Sequence, residues 1–150
     1  MLGFAQITPG LRFRSPGRTL TETDHNLFMM LCGDWHPIHA DEEFARTTPA
    51  GQRLMHGTFG IALAMGMQAA AVEFADPLLG ALGLTDWRFR RPMRIGDTVQ
   101  VEVEFLARRI TSDGARYTVE RRLSLLRRGD EVIQDGIATA LLRLPEGAAV

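Results

Sequence analysis

The chain has 150 residues, 45% of them hydrophobic and 23% charged, which is the make-up of one globular domain whose core needs no disulfide or metal. A formal net charge of -1 removes any electrostatic case for nucleic acid or an anionic membrane as partner, and the 17 basic residues, all Arg, are scattered along the chain. A single cysteine, Cys32, excludes an internal disulfide; with no basic stretch leading into an apolar run near Met1, this predicts a cytoplasmic protein.

Residues 1–22 read as a lead-in with a short strand or two, punctuated by Pro9, Gly10, Pro16 and Gly17. The first helix signal is Thr21-Glu22-Thr23-Asp24, a hydroxyl cap with acids in the first turn, followed by Leu27, Phe28, Met30 and Leu31. Gly33 stands where a helix C-terminal glycine belongs, and His25 reads as an ordinary helix-surface residue. A loop from Asp34 to Ala40 leads into a short acidic helix start at Asp41-Glu42-Glu43-Phe44-Ala45, then a break at Thr47–Gly51. From Gly57 to Ala75 the chain is rich in Ala, Leu and Met and carries no charge before Glu73, which predicts a helix buried on every side. Its many Gly and Ala residues and Gln68 make it a poor membrane span, so a sheet must wrap it.

The C-terminal half supplies that sheet. Trp87 and Phe89 alternate with Arg88 and Arg90 in a strand that stops at Pro92, and Gly96-Asp97 turns the chain into the next. Val99, Val101, Val103 and Phe105 alternate with Gln100, Glu102 and Glu104. Asp113-Gly114 is a hairpin signal, Tyr117 to Leu126 a further strand, and Gly129-Asp130 another turn. Val132 to Leu144 closes the series, with Gly136, Ala138 and Ala140 keeping one face small for close backbone approach. The order implies an α+β fold in one domain, residues 1–150: a curved antiparallel sheet wrapped around one long helix. A lone sheet leaves an edge, which predicts a homodimer or higher homo-oligomer.

Three of the four histidines, His36, His39 and His56, fall between Gly33 and Gly57. Asp34 and His39 lie five residues apart across a Pro-containing loop; brought together, they offer two proton-transfer groups, suited to adding water across a carbon–carbon double bond or removing it. The same spacing is met by a loop Asp capping an amide and a surface His. His56-Gly57 opens the apolar helix, and an amide without a Cβ beside it at a helix N-terminus can hold an oxyanion. Gly57 would equally serve a tight helix start. Asp34, His36, His39 and His56 also have the composition of a zinc or iron site. Arg90-Arg91 could meet phosphates or simply form a solvated strand edge.

The run Gly33-Asp34-Trp35-His36-Pro37-Ile38-His39-Ala40-Asp41-Glu42-Glu43-Phe44-Ala45 resembles the signature of the MaoC-like dehydratases, the group that contains R-specific enoyl-CoA hydratases. That pattern is Asp-x-Asn-Pro-x-His followed by a short helix; a His-Gly pair then opens the central helix, as in Leu54-Met55-His56-Gly57, and Arg90–Asp97 has the family's strand-turn pattern. The resemblance implies a hotdog fold and reversible hydration of a 2-enoyl-CoA to a 3-hydroxyacyl-CoA. It implies Asp34 and His39 as catalytic residues, and Gly57 with His56 as the oxyanion and substrate-binding element. It implies no redox cofactor and no metal, with coenzyme A part of the substrate, Met65 and Met67 in the core or acyl pocket, and a dimer. One position departs: His36 stands where the family has Asn. Two rivals share the fold. A hotdog acyl-CoA thioesterase would use a carboxylate on or near the central helix, and none occurs before Glu73. A non-catalytic acyl-CoA-binding partner subunit would have no need of both Asp34 and His39.

Overall fold

The structure, a computed structural model, describes residues 1–147. Two short strands, β1 (Arg12–Arg14) and β2 (Arg18–Thr19), precede helix α1 (Glu22–Cys32). Thr21 and Asp24 close a reciprocal capping box: the Thr21 hydroxyl accepts from the Asp24 N–H, and the Asp24 carboxylate accepts from the Thr21 N–H. At the other end Gly33 takes a left-handed φ of 70°, which ends the helix and turns the chain toward Asp34. Two short helices follow, α2 (Pro37–Ala40) and α3 (Glu42–Thr47), each capped by the side chain before it, His36 and Asp41. The long helix α4 (Gly57–Ala71) comes next, then β3 (Leu78–Phe89), β4 (Thr98–Ile110), β5 (Arg116–Arg127) and β6 (Glu131–Arg143).

The strands form one antiparallel sheet in the order β1-β4-β5-β6-β3, with β2 also pairing with β4. The alternation expected of β4 is met: Val99, Val101, Val103 and Phe105 are buried, as are Tyr117, Val119, Leu123 and Leu125 on β5 and Ala138, Ala140 and Leu142 on β6. This stripe packs with Leu63 and Ala64 of α4 in one core. Gly136 is required where it stands, because a Cβ there would lie 2.4 Å from Cε3 of Trp87 on β3. Among the described residues no helix is long and apolar enough to cross a membrane.

The structure corrects the expectation for the apolar helix. It ends at Ala71, not Ala75, and within the single chain it is not buried on every side: Gly60, Leu63 and Ala64 are buried, whereas Thr58, Ala62, Gly66, Ala69 and Ala70 are open. The cause lies in where the helix sits. Its start meets Phe89 of β3 and Gln134 of β6, but its body packs over β1, β4 and β5, and a cavity separates its later turns from Ala81 on β3 and Ala140 on β6. Strand β3 is also longer than its readable part: Leu78 to Thr85 has no alternation, and pairing with β6 holds it in place through three register shifts. This strand forms the sheet edge and carries Leu78, Leu79, Leu82, Leu84 and Phe89 to the surface.

Candidate active site

The loop after α1 and the start of α4 meet at Asp34, His39 and His56. His39 Nε2 lies 3.8 Å from Asp34 Oδ2, and His56 Nε2 lies 3.6 Å from the same oxygen. The two imidazoles stack, with ring centroids 3.8 Å apart and planes at 25°. Exposure separates the three: the Asp34 side chain is 50% exposed, that of His39 16% and that of His56 3%.

Each ring is fixed by a backbone carbonyl, and a carbonyl can only accept, which sets the tautomers. His39 Nδ1–H donates to the Leu54 carbonyl at 2.7 Å, so neutral His39 presents a bare Nε2 toward Asp34. His56 Nε2–H donates to the Asp34 carbonyl at 3.0 Å. His25 Nε2–H donates to the His39 carbonyl at 2.8 Å. His25 is therefore no surface residue: it is fully buried, one helical turn before buried Met29, and it ties α1 to α2. His36 acts as the cap of α2, its Nδ1 accepting from the Ile38 N–H at 3.2 Å, while its own N–H donates to Asp34 Oδ1. Burial holds the His39 imidazole below its ordinary pKa; the Leu54 hydrogen bond opposes this shift and the neighbouring His56 adds to it.

Gly57 is the first residue of α4, so its N–H has no acceptor within the helix. A Cβ there would sit 2.9 Å from Cε1 of Phe89, which rules out a larger residue while the ring stays put. Gln134, buried on β6, donates to the Gly57 carbonyl at 3.0 Å and accepts from the Trp87 indole N–H at 3.1 Å. His39 and Gly57 line one cavity of about 240 Å³ together with Met55, Phe89, Met93 and Gln134. Asp34 adjoins it through His39, and His56 lies behind, buried against Phe28. Arg90 and Arg91 line the same cavity and are held in ion pairs, Arg90 with Asp135 at 2.5 Å and Arg91 with Glu131 at 3.3 Å. Met65 and Met67 are half-buried at the core and do not line this cavity.

Ligand atoms of Asp34, His39 and His56 lie within 4.8 Å of one another, a spacing a metal ion could bridge. Part of their bonding capacity is already committed, however: His56 Nε2 to the Asp34 carbonyl, His39 Nδ1 to that of Leu54 and Asp34 Oδ1 to the His36 N–H, leaving His39 Nε2, His56 Nδ1 and Asp34 Oδ2 without a hydrogen bond. His36 stands outside the group, its Nδ1 engaged by Ile38.

His25 and Gln134 escape a reading of the sequence for chemistry. The one signal for His25 is its place four residues before Met29, on the buried face; for Gln134 it is a polar side chain on the inward stripe that continues through Gly136, Ala138 and Ala140.

The sequence is 37% identical over 100 residues to Protein MaoC of Klebsiella aerogenes, covering 67% of this chain but only 29% of that protein's length. It is 34% identical over 134 residues to the 3-hydroxybutyryl-CoA dehydratase of Methylorubrum extorquens, covering 86% of this chain and 76% of the relative. A Mycobacterium tuberculosis protein with a double hotdog fold superposes with a TM-score of 0.83 at 21% identity, over 98% of this chain and 46% of that one. The sheet folded about α4 is thus a hotdog fold, as the resemblance implies. With residues 5–124 matching the model of the MaoC-like domain, and with the dehydratase relative spanning most of both chains, the chain belongs to the MaoC-like dehydratase family.

Proposed function

We propose that this protein is a hydratase/dehydratase that interconverts a 2-enoyl-CoA and a 3-hydroxyacyl-CoA, with Asp34 and His39 acting as one unit. The observation that carries the reading is the gap between them. A separation of 3.8 Å is too long for a direct hydrogen bond and short enough for one water molecule to bridge both groups. His39 offers that water a bare Nε2, and Asp34 a carboxylate oxygen. The pair takes a proton from the water as its oxygen bonds to the beta carbon of the enoyl thioester. It returns a proton to the alpha carbon, so water is added with no net change in the pair's protonation.

Negative charge builds on the thioester oxygen during that addition. The Gly57 N–H, unengaged at the positive end of α4 and in the same cavity as His39, supplies the donor and the dipole. His56 has its part behind the reacting atoms: it holds the Asp34 backbone and stacks on His39, so it positions the pair without touching substrate. Arg90 and Arg91, each oriented by one carboxylate, flank the cavity where the coenzyme A phosphates would approach. No metal or redox group is needed in this chemistry.

The active form is a homodimer. The support is the apolar edge strand β3, with five large side chains open to solvent, beside the uncovered face of α4. Cytoplasmic placement is part of the same reading, in keeping with a single free cysteine and coenzyme A as the handle.

The test is a panel of 2-enoyl-CoA esters of graded chain length, followed by loss of the conjugated-thioester absorbance. Hydration of at least one ester, with 3-hydroxyacyl-CoA as product, is expected. Release of free coenzyme A instead would favour the thioesterase, and binding without turnover the non-catalytic subunit.

A further inference from the structure

A second cavity, about 430 Å³, lies along the C-terminal half of α4, away from the one that holds His39 and Gly57. Its wall is apolar, built from Met65, Val72, Phe74, Leu78, Ala81 and Ala140. Into this wall the sequence places a guanidinium. Tyr117, Val119, Arg121, Leu123 and Leu125 alternate inward along β5, and Arg121 is the one charged member of that stripe.

Arg121 is 3% exposed and lines the cavity. Its Nη1 donates to Gln68 Oε1 at 2.7 Å, its Cζ lies 5.4 Å from the Phe74 ring centroid, and its Nε is buried without a hydrogen-bond partner. Among the described residues no carboxylate lies within ion-pair distance of it, whereas Arg12, Arg14, Arg90 and Arg127, also on the sheet, are each paired with one. Two acidic residues border the cavity. Asp76 accepts from the Tyr117 hydroxyl at 2.8 Å and from the Phe4 N–H at 2.7 Å, both at Oδ2, and Glu73 is exposed at the rim. Burial pulls the Arg121 pKa down to about 10, which still leaves a cation at neutral pH. A desolvated cation with no counter-charge is costly to keep, and replacing such groups by apolar ones is often neutral or stabilising. Its place beside an apolar cavity is complementary to one kind of ligand: an aliphatic body that ends in an anion.

We propose that this cavity binds an aliphatic chain ending in a carboxylate, with the Arg121 guanidinium as its partner. Two sources share that chemistry. One is a free fatty acid. The other is the far end of an acyl thioester whose head sits at His39, since Gln68 lies eleven residues along α4 from Gly57, about 16 Å of helix; this second source rests on the hydratase reading.

The experiment has a binding arm and a kinetic arm. Titration calorimetry measures decanoate and decylamine with the intact protein, Arg121→Lys, and the neutral variants Arg121→Met and Arg121→Gln, each checked for folding by circular dichroism; two neutral variants guard against one failing to fold. Decanoate is expected to bind the parent and the Lys variant, and to bind the neutral variants about 10-fold more weakly or worse, the usual worth of a charge-assisted hydrogen bond. The kinetic arm compares kcat/KM for 2-enoyl-CoA esters that end in a methyl group or in a carboxylate. A preference for the carboxylate end that disappears in the neutral variants assigns the cavity to the acyl terminus. Decanoate binding that depends on Arg121, without such a preference, assigns it to a free fatty acid. Failure to hydrate any ester alongside Arg121-dependent decanoate binding would sink the hydratase reading and leave the site standing. The proposal is overturned if decanoate fails to bind and no preference appears. Equal binding by parent and folded neutral variants, or tighter binding of decylamine than of decanoate, would also overturn it.

Discussion

The two ring nitrogens of His39 differ: Nδ1 anchors the loop to Leu54, and Nε2 is left without a hydrogen bond, as the proposed reaction requires. Burial reinforces the division, because it favours the neutral ring that such chemistry needs. A histidine whose folded pKa lies below its unfolded value near 6.5 stays neutral through pH 7 and gains a proton only below that value. The acid limb of kcat/KM for enoyl-CoA hydration is therefore expected to have its midpoint below about 6.5; a midpoint above it would contradict a buried neutral His39. The same shift makes stability rise with pH across that window, since the unfolded chain protonates first. His36 differs in kind. Its cap on Ile38 needs an acceptor at about the reach of an Asn side chain, so His36→Asn is expected to keep the fold and most of the activity, measured by the same assay with circular dichroism as a check.

At the scale of elements, α4 has two unlike faces, and substitution distinguishes them. Ala64 is fully buried under the sheet, so Ala64→Glu places an unpaired carboxylate where no water reaches, at a cost of several kcal/mol, comparable with the ~5–15 kcal/mol that holds a domain together. Unfolded or insoluble protein is expected. Gly66 is open, with nothing within 4 Å of the place its Cβ would take, so Gly66→Glu is expected to leave a folded chain by circular dichroism. Much of this architecture is legible in the sequence, and the reasons are local. The capping box at Thr21, the glycine at position 33, the alternation of Val99 to Phe105 and the turns at Asp113-Gly114 and Gly129-Asp130 each act within a few residues. The exposed face of α4 and the length of β3 are not local. They depend on which strands the helix covers and on pairing with β6, and an apolar segment reads the same whether its own chain buries it or leaves it bare. At the site, the Asp34–His39–Gly57 grouping is legible as a motif. The burial of His25, the Gln134 brace and the Arg121 cavity arise from tertiary contacts and give only faint signals: a polar side chain on an apolar stripe.

For the whole molecule, the uncovered surface is the main consequence of this topology. An edge strand that shows Leu78, Leu79, Leu82, Leu84 and Phe89 is a template for pairing with a second copy, and its exposure beside α4 joins edge and helix into one surface. Light scattering at micromolar concentration is expected to give about twice the chain mass or a multiple of it, and Leu82→Asp to shift the protein toward one chain mass; a strictly monomeric, active parent would contradict the dimer. Sheet, helix start and loop together hold Asp34 Oδ2 and His39 Nε2 3.8 Å apart, and in the proposed function the two act as a unit. Steady-state hydration of a short enoyl-CoA by the parent, Asp34→Asn, His39→Gln and the double variant tests it most directly, with circular dichroism confirming the fold. Each single change is expected to lower kcat by about 100-fold or more, and the double change by far less than the product of the two. Near-normal turnover in either folded single variant, or losses that simply multiply, would contradict it.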